Sequence, residues 1–396
     1  MKTIHIAPGA PNPTDDGSPF APYRVNDSNR FDAVFKRHRG PTTFLLHPGR
    51  YWTRGAWAFA GFPGYAMLAP NCHLVGVNGS NVTMIALDPA YERLLNGADP
   101  GYVETIIGGG RESEQASDQM VVSGLTIDTG FAEVPVSGLH TYSGGTSISD
   151  VRVVGVNGVW GAAEGFGILV NDSPNARNGG NVIARCSVEV SDDDTYVTGI
   201  YLGSVAAGGR PNLIDTCHVT ALTHDRKRMH AAFAANENTQ VRNCVGGGTE
   251  RFLFCDTGNV GDIEITGCRG SFGYCAVDLP APAGPNNPIT YRRRIRVSNC
   301  TFRNEFPTTD HAIGILLQDK TEGNRTVALE DVDIDSCRFS SALPAGAFYV
   351  CSIMGALTKR VWIRGSQFPE GSQTRNGVYP PTPQSEVRIN DVPDPA

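Results

Sequence analysis

A short phrase ending in cysteine returns six times between residues 181 and 340, and it constrains the fold more than any other feature. Each copy alternates apolar and polar residues, reaches the cysteine, and continues with a polar–apolar pair. An alternation of period two predicts strands rather than helices. Spacings of 24 to 37 residues indicate one repeating unit with loops of different length. The cysteines are Cys186, Cys217, Cys244, Cys268, Cys300 and Cys337.

A second apolar run occurs in each repeat. Two or three short strands per repeat, with no helix between them, indicate a parallel β-helix in which each coil lies on the previous one. The six cysteines then form an interior ladder of small, polarisable side chains. A propeller blade needs about 40–45 residues, which is longer than the shortest repeats here. The apolar runs are 167–170, 199–202, 232–235, 252–255, 274–277, 314–317 and 348–351.

This pattern resembles the pectin-lyase-like right-handed parallel β-helix superfamily over roughly residues 27–390. Residues 27–36 are similar to the short capping helix of such proteins, and residues 43–51 are similar to their first coil. The resemblance implies an all-β fold: a single-stranded right-handed solenoid of about ten coils with a short N-terminal capping helix. We therefore divide the chain into an extended arm (1–26), the β-helix (27–390) and a C-terminal tail (391–396).

Composition narrows the possible functions. The formal net charge is −7 and charged residues make up 18% of the chain, which does not predict the basic face of a nucleic-acid-binding protein. No apolar window approaches ~18 residues, so we expect no membrane span. The first residues lack the apolar segment of a signal peptide. This predicts a cytoplasmic protein with reduced thiols, or a secreted one if the sequence has lost its leader.

Polar residues close the successive apolar runs and predict a first candidate site. Outward residues of one sheet stack about 4.8 Å apart along a β-helix, so Asp256 and Asp278 are expected to be neighbours on adjacent coils. Two close carboxylates raise each other's pKa, which lets one act as a general acid while the other stays ionised. The alternative is that these residues simply form turns. The other members taken as substrate-binding residues are Asn171, Asn236 and Gln318.

A second polar column is predicted at the opposite ends of the same strands. It combines acids, bases and histidines, which is the composition that acid–base chemistry on a sugar needs. The alternative is a solvated loop with ordinary surface ion pairs. The catalytic candidates of this column are Asp193, Asp194, His230 and Glu250, and the substrate-binding candidates are His224 and Arg251.

We expect no metal or other cofactor. Residues 192–194 are three consecutive aspartates that could hold Ca²⁺. Three adjacent aspartates do not make an EF-hand loop, however.

The resemblance implies a carbohydrate-active enzyme that cleaves or rearranges glycosidic bonds of a poly- or oligosaccharide. Polygalacturonase-type enzymes carry an Asp pair, a Gly-His-Gly and an Arg-Ile-Lys on successive coils, and only the Asp pair has a counterpart here, within residues 192–194. Hydrolase, lyase, epimerase and fructotransferase chemistries therefore stay open. The alternative is a non-catalytic sugar-binding or tailspike-like adhesion protein.

An apolar row is predicted on the outer face between the two polar columns. A contiguous exposed apolar patch marks an interface. We therefore expect a homo-oligomer, with a trimer favoured, whose site is completed between subunits. The row consists of Leu169, Tyr201, Ala234, Phe254, Ala276, Leu316 and Val350.

Overall fold

The structure is a computed structural model, in which the chain forms two compact units, Met1–Tyr201 and Leu202–Ala396. In the part of the chain that it describes, no helix has the length and apolar character needed to span a membrane. The described residues are 1–38, 40–55, 67–68, 71–89, 104–109, 120–130, 136–142, 144–158, 164–171, 179–190, 196–203, 210–221, 229–235, 238–255, 262–281, 292–319, 321–322, 325–326, 328–354, 360–376, 386–389 and 392–393.

The first unit contains one helix, α1 (Ser28–Arg37), and otherwise strands. The strands are β1 Lys2–Pro8, β2 Tyr23–Val25, β3 Thr42–Leu46, β4 Gly49–Thr53, β5 Met67–Leu68, β6 His73–Gly76, β7 Thr83–Leu87, β8 Glu104–Gly109, β9 Val121–Ser123, β10 Thr126–Asp128, β11 Val136–Tyr142, β12 Ser147–Ser149, β13 Arg152–Val156, β14 Gly165–Asn171, β15 Val182–Ala184, β16 Ser187–Val190 and β17 Val197–Leu202.

The second unit consists of strands and loops in its described residues. The strands are β18 Asn212–Asp215, β19 His218–Ala221, β20 Met229–Ala235, β21 Thr239–Arg242, β22 Val245–Phe254, β23 Ile263–Thr266, β24 Arg269–Ala281, β25 Arg292–Ser298, β26 Thr301–Asn304, β27 Ala312–Asp319, β28 Thr321–Glu322, β29 Arg325–Thr326, β30 Ala328–Asp335, β31 Arg338–Ser341, β32 Phe348–Met354, β33 Arg360–Arg364, β34 Gln373–Asn376, β35 Glu386–Ile389 and β36 Val392–Pro393.

Three parallel sheets run through the first unit. The first sheet pairs β3, β6, β9, β12 and β15 in that order. The second sheet pairs β4, β7, β10, β13 and β16. The third pairs β5, β8, β11 and β14, followed by β17. Each coil therefore contributes one strand to each sheet, which is the arrangement of a parallel β-helix.

The second unit repeats the same three sheets. Its first sheet pairs β18, β21, β23, β25, β30, β33 and β35. Strands β22 and β24 are long, and each supplies its first half to the second sheet and its second half to the third. The second sheet also contains β19, β26 and β31, and the third contains β20, β27 and β32. The predicted right-handed parallel β-helix is confirmed. Its first sheet has five successive strands from β3 to β15 in the first unit and seven from β18 to β35 in the second, against the expected ten or so coils.

A left-handed residue turns the chain from the first sheet to the second, directly before each repeated cysteine. Its φ is 54° at Thr216 and 53° at Asn243, for example. The thiol of Cys244 then donates to the carbonyl of Arg242, two residues upstream, at 3.1 Å. The other five repeated cysteines make the same bond. The repeated phrase therefore specifies a turn. The small thiol donates a hydrogen bond to a backbone carbonyl that the turn would otherwise leave buried without a partner.

The repeated cysteines are at most 2% exposed, and all ten cysteines of the chain are free and buried. This confirms that burial, rather than disulfide bonding, accounts for them.

Helix α1 covers the first coils as the sequence predicts. The side chain of Asp27 caps it by accepting from the backbone N–H of Arg30 at 2.8 Å. The helix buries Phe31 and Phe35, and Phe35 packs edge-on against Phe44 of β3 with ring centroids 4.8 Å apart. A cap of this kind covers the exposed end of a β-sheet solenoid.

Part of the predicted arm is a strand of the first sheet. Strand β1 pairs in parallel with β3, and it buries Ile4 and Ile6 completely while His5 faces outward. Ile4 and Ile6 stand at alternate positions, which is the same period-two signal that identifies the later strands. The division of the chain at residues 26 and 390 stays a prediction, but residues 1–26 are not simply a free extension.

Candidate functional site

Polar and aromatic side chains gather on the outer face of the third sheet in the second unit. They come from β20, β22 and β24, three successive strands of that sheet. The pairing of β22 with β24 shifts around Thr249 and Arg251, and such irregularities often redirect a side chain beside a functional site. We call this group the Arg251 cluster; its members are His230, Glu250, Arg251, Phe254, Tyr274 and Asp278.

The guanidinium of Arg251 is the centre of the cluster. Its Nε donates to Oδ2 of Asp278 at 2.7 Å, and its Nη1 donates to Oε2 of Glu250 at 2.9 Å. The guanidinium carbon lies 5.5 Å from the ring centroid of Tyr274 and 5.8 Å from that of Phe254, within cation–π range. One side chain therefore bridges two carboxylates and two rings.

Electrostatics fix the charge of the cluster. Burial alone lowers the pKa of Arg251, but the carboxylates of Asp278 and Glu250 outweigh it and hold that pKa above its usual value. Burial raises the pKa of the Tyr274 phenol, and the negative charge of Asp278 adds to the effect. Burial raises the pKa of the Cys275 thiol as well, again with a contribution from Asp278. At neutral pH the guanidinium is therefore charged while the phenol and the thiol are neutral.

Aromatic rings extend along the helix axis from the cluster. The rings of His230 and Phe254 have centroids 4.7 Å apart. Farther along, the ring centroid of His311 lies 6.1 Å from that of Tyr274 and 5.7 Å from that of Tyr349. The strands that carry this row, from β20 to β32, are four spacings apart, or about 19 Å at about 4.8 Å per strand. The row is long enough to contact several sugar units of an extended chain.

Asp310 sets the environment of His311. Its Oδ1 lies 2.8 Å from Nδ1 of the His311 ring. The hydrogen bond to His311 lowers the pKa of Asp310, and the charge of the imidazolium form lowers it further. This pair lies in the loop before β27, at the solvent edge of the aromatic row.

The structure brings together candidates that the sequence assigned to two separate columns. Asp278 came from one column and His230, Glu250 and Arg251 from the other, and all four are members of one cluster. The reach of the arginine explains this, because Arg251 extends along the sheet from its own position to Asp278. His230 is 7% exposed and Asp278 is 2% exposed.

The predicted register of the first column is wrong at Asp278. Strand β24 continues to Ala281, so Asp278 lies inside the strand rather than at its end. Its partners across the sheet are Phe254 and Leu316, and Gln318 pairs with Pro280 instead. The register therefore places Phe254 directly opposite Asp278, and Asp256 itself lies outside the described residues.

The remaining candidates are not part of the cluster as described. Asn171 ends β14 in the first unit and is partly exposed. The other candidates lie outside the described residues and stay predictions: Asp193, Asp194, His224, Asn236 and Asp256.

The prediction of an exposed apolar row is also wrong. Tyr201 and Phe254 are partly exposed, but the other five members are at most 4% exposed within the chain itself. Tyr274 and Tyr349, for instance, pack on the buried group that contains Leu316. The predicted oligomer therefore loses the observation from which it was inferred, although oligomeric state stays a prediction. The five buried members are Leu169, Ala234, Ala276, Leu316 and Val350.

The aromatic row was missed by sequence reasoning, which counted its tyrosines among the apolar positions. Phe254, Tyr274 and Tyr349 lie in three of the last four second apolar runs, and that recurrence is the signal that could have identified them. Among the described residues, no group of three or more histidine, cysteine or acidic side chains is placed to hold a metal ion.

Solved structures match this fold at low sequence identity. The A-module of mannuronan C-5 epimerase AlgE6 from Azotobacter vinelandii is 16% identical with a TM-score of 0.55, over 94% of this chain and 96% of that chain. The tailspike protein of E. coli bacteriophage HK620, in complex with a pentasaccharide, is 11% identical with a TM-score of 0.66, over 94% and 66% respectively.

Both matched proteins are right-handed parallel β-helices, so the resemblance stated from the sequence is confirmed at the level of the fold. No protein-family model matches the chain, and no curated protein matches it in sequence.

Proposed function

We propose that this protein is a carbohydrate-active enzyme that cleaves or rearranges glycosidic bonds of a poly- or oligosaccharide at the Arg251 cluster. The observation that carries the proposal is the pair of carboxylates, Asp278 and Glu250, held on one guanidinium beside a row of aromatic rings. A binding site of this kind combines apolar and aromatic walls with a few convergent polar groups.

One guanidinium holds the two carboxylates near each other. They bind different nitrogens of the same planar group, at 2.7 and 2.9 Å. Their bound oxygens are therefore at most about 8 Å apart, below the upper limit of roughly 9.5 Å for the two carboxyl groups of glycosidases.

The two carboxylates differ in access to solvent, which suggests a division of roles. The side chain of Asp278 is 2% exposed and that of Glu250 is 12% exposed. In the proposed reaction Glu250, the carboxylate nearer to solvent, takes up a proton from solvent and donates it to the glycosidic oxygen as the glycosidic bond breaks. Water or a hydroxyl group of the substrate then adds to the anomeric carbon and releases a proton. Asp278 supplies the fixed negative charge that stabilises a positively charged sugar transition state. Arg251 holds both in place.

The matched structures support a saccharide ligand. One is an epimerase of mannuronan and the other is a tailspike protein with a bound pentasaccharide. We expect a poly- or oligosaccharide as the partner of this chain too. The homotrimer predicted from the sequence stays a prediction, which analytical ultracentrifugation can check.

A reducing-end assay and absorbance at 235 nm, run over a polysaccharide panel, test the proposed function. New reducing ends without absorbance identify a hydrolase. Absorbance at 235 nm identifies β-elimination from a uronic acid. A product with neither signal identifies an intramolecular transferase or an epimerase. The absence of both product and binding over the whole panel would contradict the proposal.

The second candidate is a non-catalytic sugar-binding protein of the tailspike-like kind. The observation that favours it is that Asp278 is almost completely buried and already ion-paired with Arg251, as a structural carboxylate would be. This candidate predicts saccharide binding by calorimetry with no chemical change in the ligand after prolonged incubation.

A further inference from the structure

A separate groove lies on the outer face of the first sheet in the second unit. Its volume is about 570 Å³, within the range of small-molecule sites. Its walls are the outward residues of β23, β25, β30 and β33, whereas the Arg251 cluster lies on the third sheet. The polar and aromatic residues of the wall are Asp262, Glu264, Arg294, Arg296, Asp331, Asp333, Arg360 and Trp362.

One row of this groove is neutralised by its own contacts. Asp331 is the partner of Arg294 on one side and of Arg360 on the other in the parallel register. Oδ1 of Asp331 lies 2.6 Å from Nε of Arg360, and Oδ2 lies 4.0 Å from Nε of Arg294. The backbone N–H of Arg294 also donates to Asp262 at 3.2 Å.

The adjacent row leaves one arginine available. The register places Arg296 directly between Glu264 and Asp333. Those carboxylates take their ion pairs from arginines farther along the sheet: Glu264 with Arg242 at 3.6 Å, and Asp333 with Arg364 at 3.2 Å. Arg296 is exposed, and no carboxylate of the described residues lies within ion-pairing distance of it.

Trp362 supplies an aromatic surface in the same row. It follows Asp333 in the register and is 38% exposed. Two strand spacings, or about 10 Å, separate its backbone from that of Arg296. Arg364 lies 5.9 Å from the Trp362 ring centroid and holds the ring by a cation–π contact.

The contacts of the groove leave one guanidinium available for an anion. The lining holds three arginines and four carboxylates. All four carboxylates already have partners among arginine side chains or the backbone, whereas Arg296 has no ion pair with a carboxylate of the described residues. A guanidinium binds a carboxylate by two parallel hydrogen bonds, and the apolar face of a sugar ring packs on an indole.

We propose that this groove is a second saccharide-binding site, which takes an acidic glycan with a carboxylate on Arg296 and a neighbouring sugar ring on Trp362. The site does not depend on the proposed function of the Arg251 cluster. It would hold a uronic-acid-containing chain on the first sheet, whereas the proposed chemistry occurs on the third.

Calorimetric titration of the full chain tests this site. The probes are a disaccharide of glucuronic acid and glucose, and its neutral counterpart with two glucose units. We expect the acidic probe to bind with a Kd of about 1 mM or tighter, and about tenfold more tightly than the neutral probe. Arg296→Gln should remove the preference for the acidic probe. Trp362→Ala should weaken the binding of both probes.

Arg185→Gln is the matched control, because Arg185 is an exposed arginine of the first unit, and it should leave binding unchanged. Arg296→Lys should retain part of the preference for the acidic probe. No binding of the acidic probe at a Kd of about 1 mM or tighter would overturn the proposal. Equal binding of the two probes, or binding unchanged in both groove variants, would overturn it as well.

Discussion

At the scale of single residues, Arg251 determines the candidate site because it compensates two carboxylates at once. Asp278 is 2% exposed, and a buried carboxylate without a partner is costly. Lysine cannot replace this arginine, since a compact ammonium lacks the planar fork that binds two carboxylates. The charge pair is therefore as much a condition for folding as for the proposed chemistry.

We predict that Arg251→Gln lowers the free energy of unfolding by about 3 kcal/mol, because it leaves Asp278 as an uncompensated buried charge. The double variant Arg251→Gln/Asp278→Asn should recover most of that loss. Urea unfolding of both single variants and the double variant gives the coupling energy. Strictly additive effects would show that the ion pair at 2.7 Å is not energetically coupled.

His140 predicts a pH dependence of stability. Its side chain is buried in the first unit, and burial lowers its pKa to about 3. The unfolded chain binds a proton at this histidine below about pH 6.5, whereas the folded chain does not until about pH 3. Below about pH 6.5 protonation of His140 therefore favours the unfolded chain. The free energy of unfolding is highest above that pH and decreases as the pH falls.

The expected loss from this group between pH 7.5 and pH 5 is about 2 kcal/mol. The free energy of unfolding in urea, measured at several pH values for the wild type and His140→Gln, isolates the contribution of His140. The other histidines contribute equally to both proteins. The variant should show a shallower decrease toward acid pH. Parallel pH profiles would contradict the assignment.

At the scale of elements, the turn before each repeated cysteine is the unit that the sequence specifies best. Its left-handed position is held by asparagine, glycine, serine, arginine and threonine in different coils. Asparagine and glycine adopt this conformation readily, whereas a β-branched residue such as Thr216 is strained there. The coils therefore have the same backbone conformation at this turn but differ in how much backbone strain it causes.

We predict that Thr216→Asn stabilises the protein by about 1 kcal/mol, because it relieves a β-branched residue with a φ of 54°. Thr301→Asn is the control, since Thr301 lies in strand β26, where asparagine is disfavoured. Thermal unfolding should show a higher Tm for the first variant and a lower Tm for the second. An equal decrease in both would mean that the turn is not strained.

The strands were predictable from the sequence, but the register between them was not. The cysteine phrase marks where each coil turns, so the first and second sheets follow from it. In β22 and β24 the chain runs from the second sheet into the third without a break, and the register shifts around Arg251. Counting from the ends of apolar runs therefore placed Asp256 opposite Asp278, although the structure pairs Phe254 with it.

At the scale of the whole molecule, the repeated sequence phrase predicted the fold, but it did not predict that the apolar positions of the outer face would be buried. A repeated local pattern predicts turns well, because a turn depends on a few consecutive residues. Leu316 belongs to a buried group against which Tyr274 and Tyr349 pack, and a pattern of apolar positions does not contain that information. The exposed row that predicted a trimer was for this reason not observed.

Burial of the thiols gives a prediction for the molecule as a whole. All ten cysteines are free and buried, and burial raises the pKa of Cys275 well above its usual value. The thiolate is the reactive form. We expect a thiol-specific reagent to modify almost none of the ten in the native chain and all ten after unfolding in guanidinium. Rapid modification of the native protein would contradict a closed interior.

The central claim is that the Arg251 cluster acts on a saccharide, and site-specific turnover tests it most directly. The measurement is kcat/KM for the wild type, Asp278→Asn and Glu250→Gln on the polysaccharide that the panel identifies. Glu370→Gln serves as the control because Glu370 is exposed and away from the cluster.

We predict losses of about 10²–10⁴-fold for the two cluster variants, with folding verified by circular dichroism and with the control unchanged. Full turnover in both folded cluster variants would contradict the account and place the chemistry elsewhere on the chain.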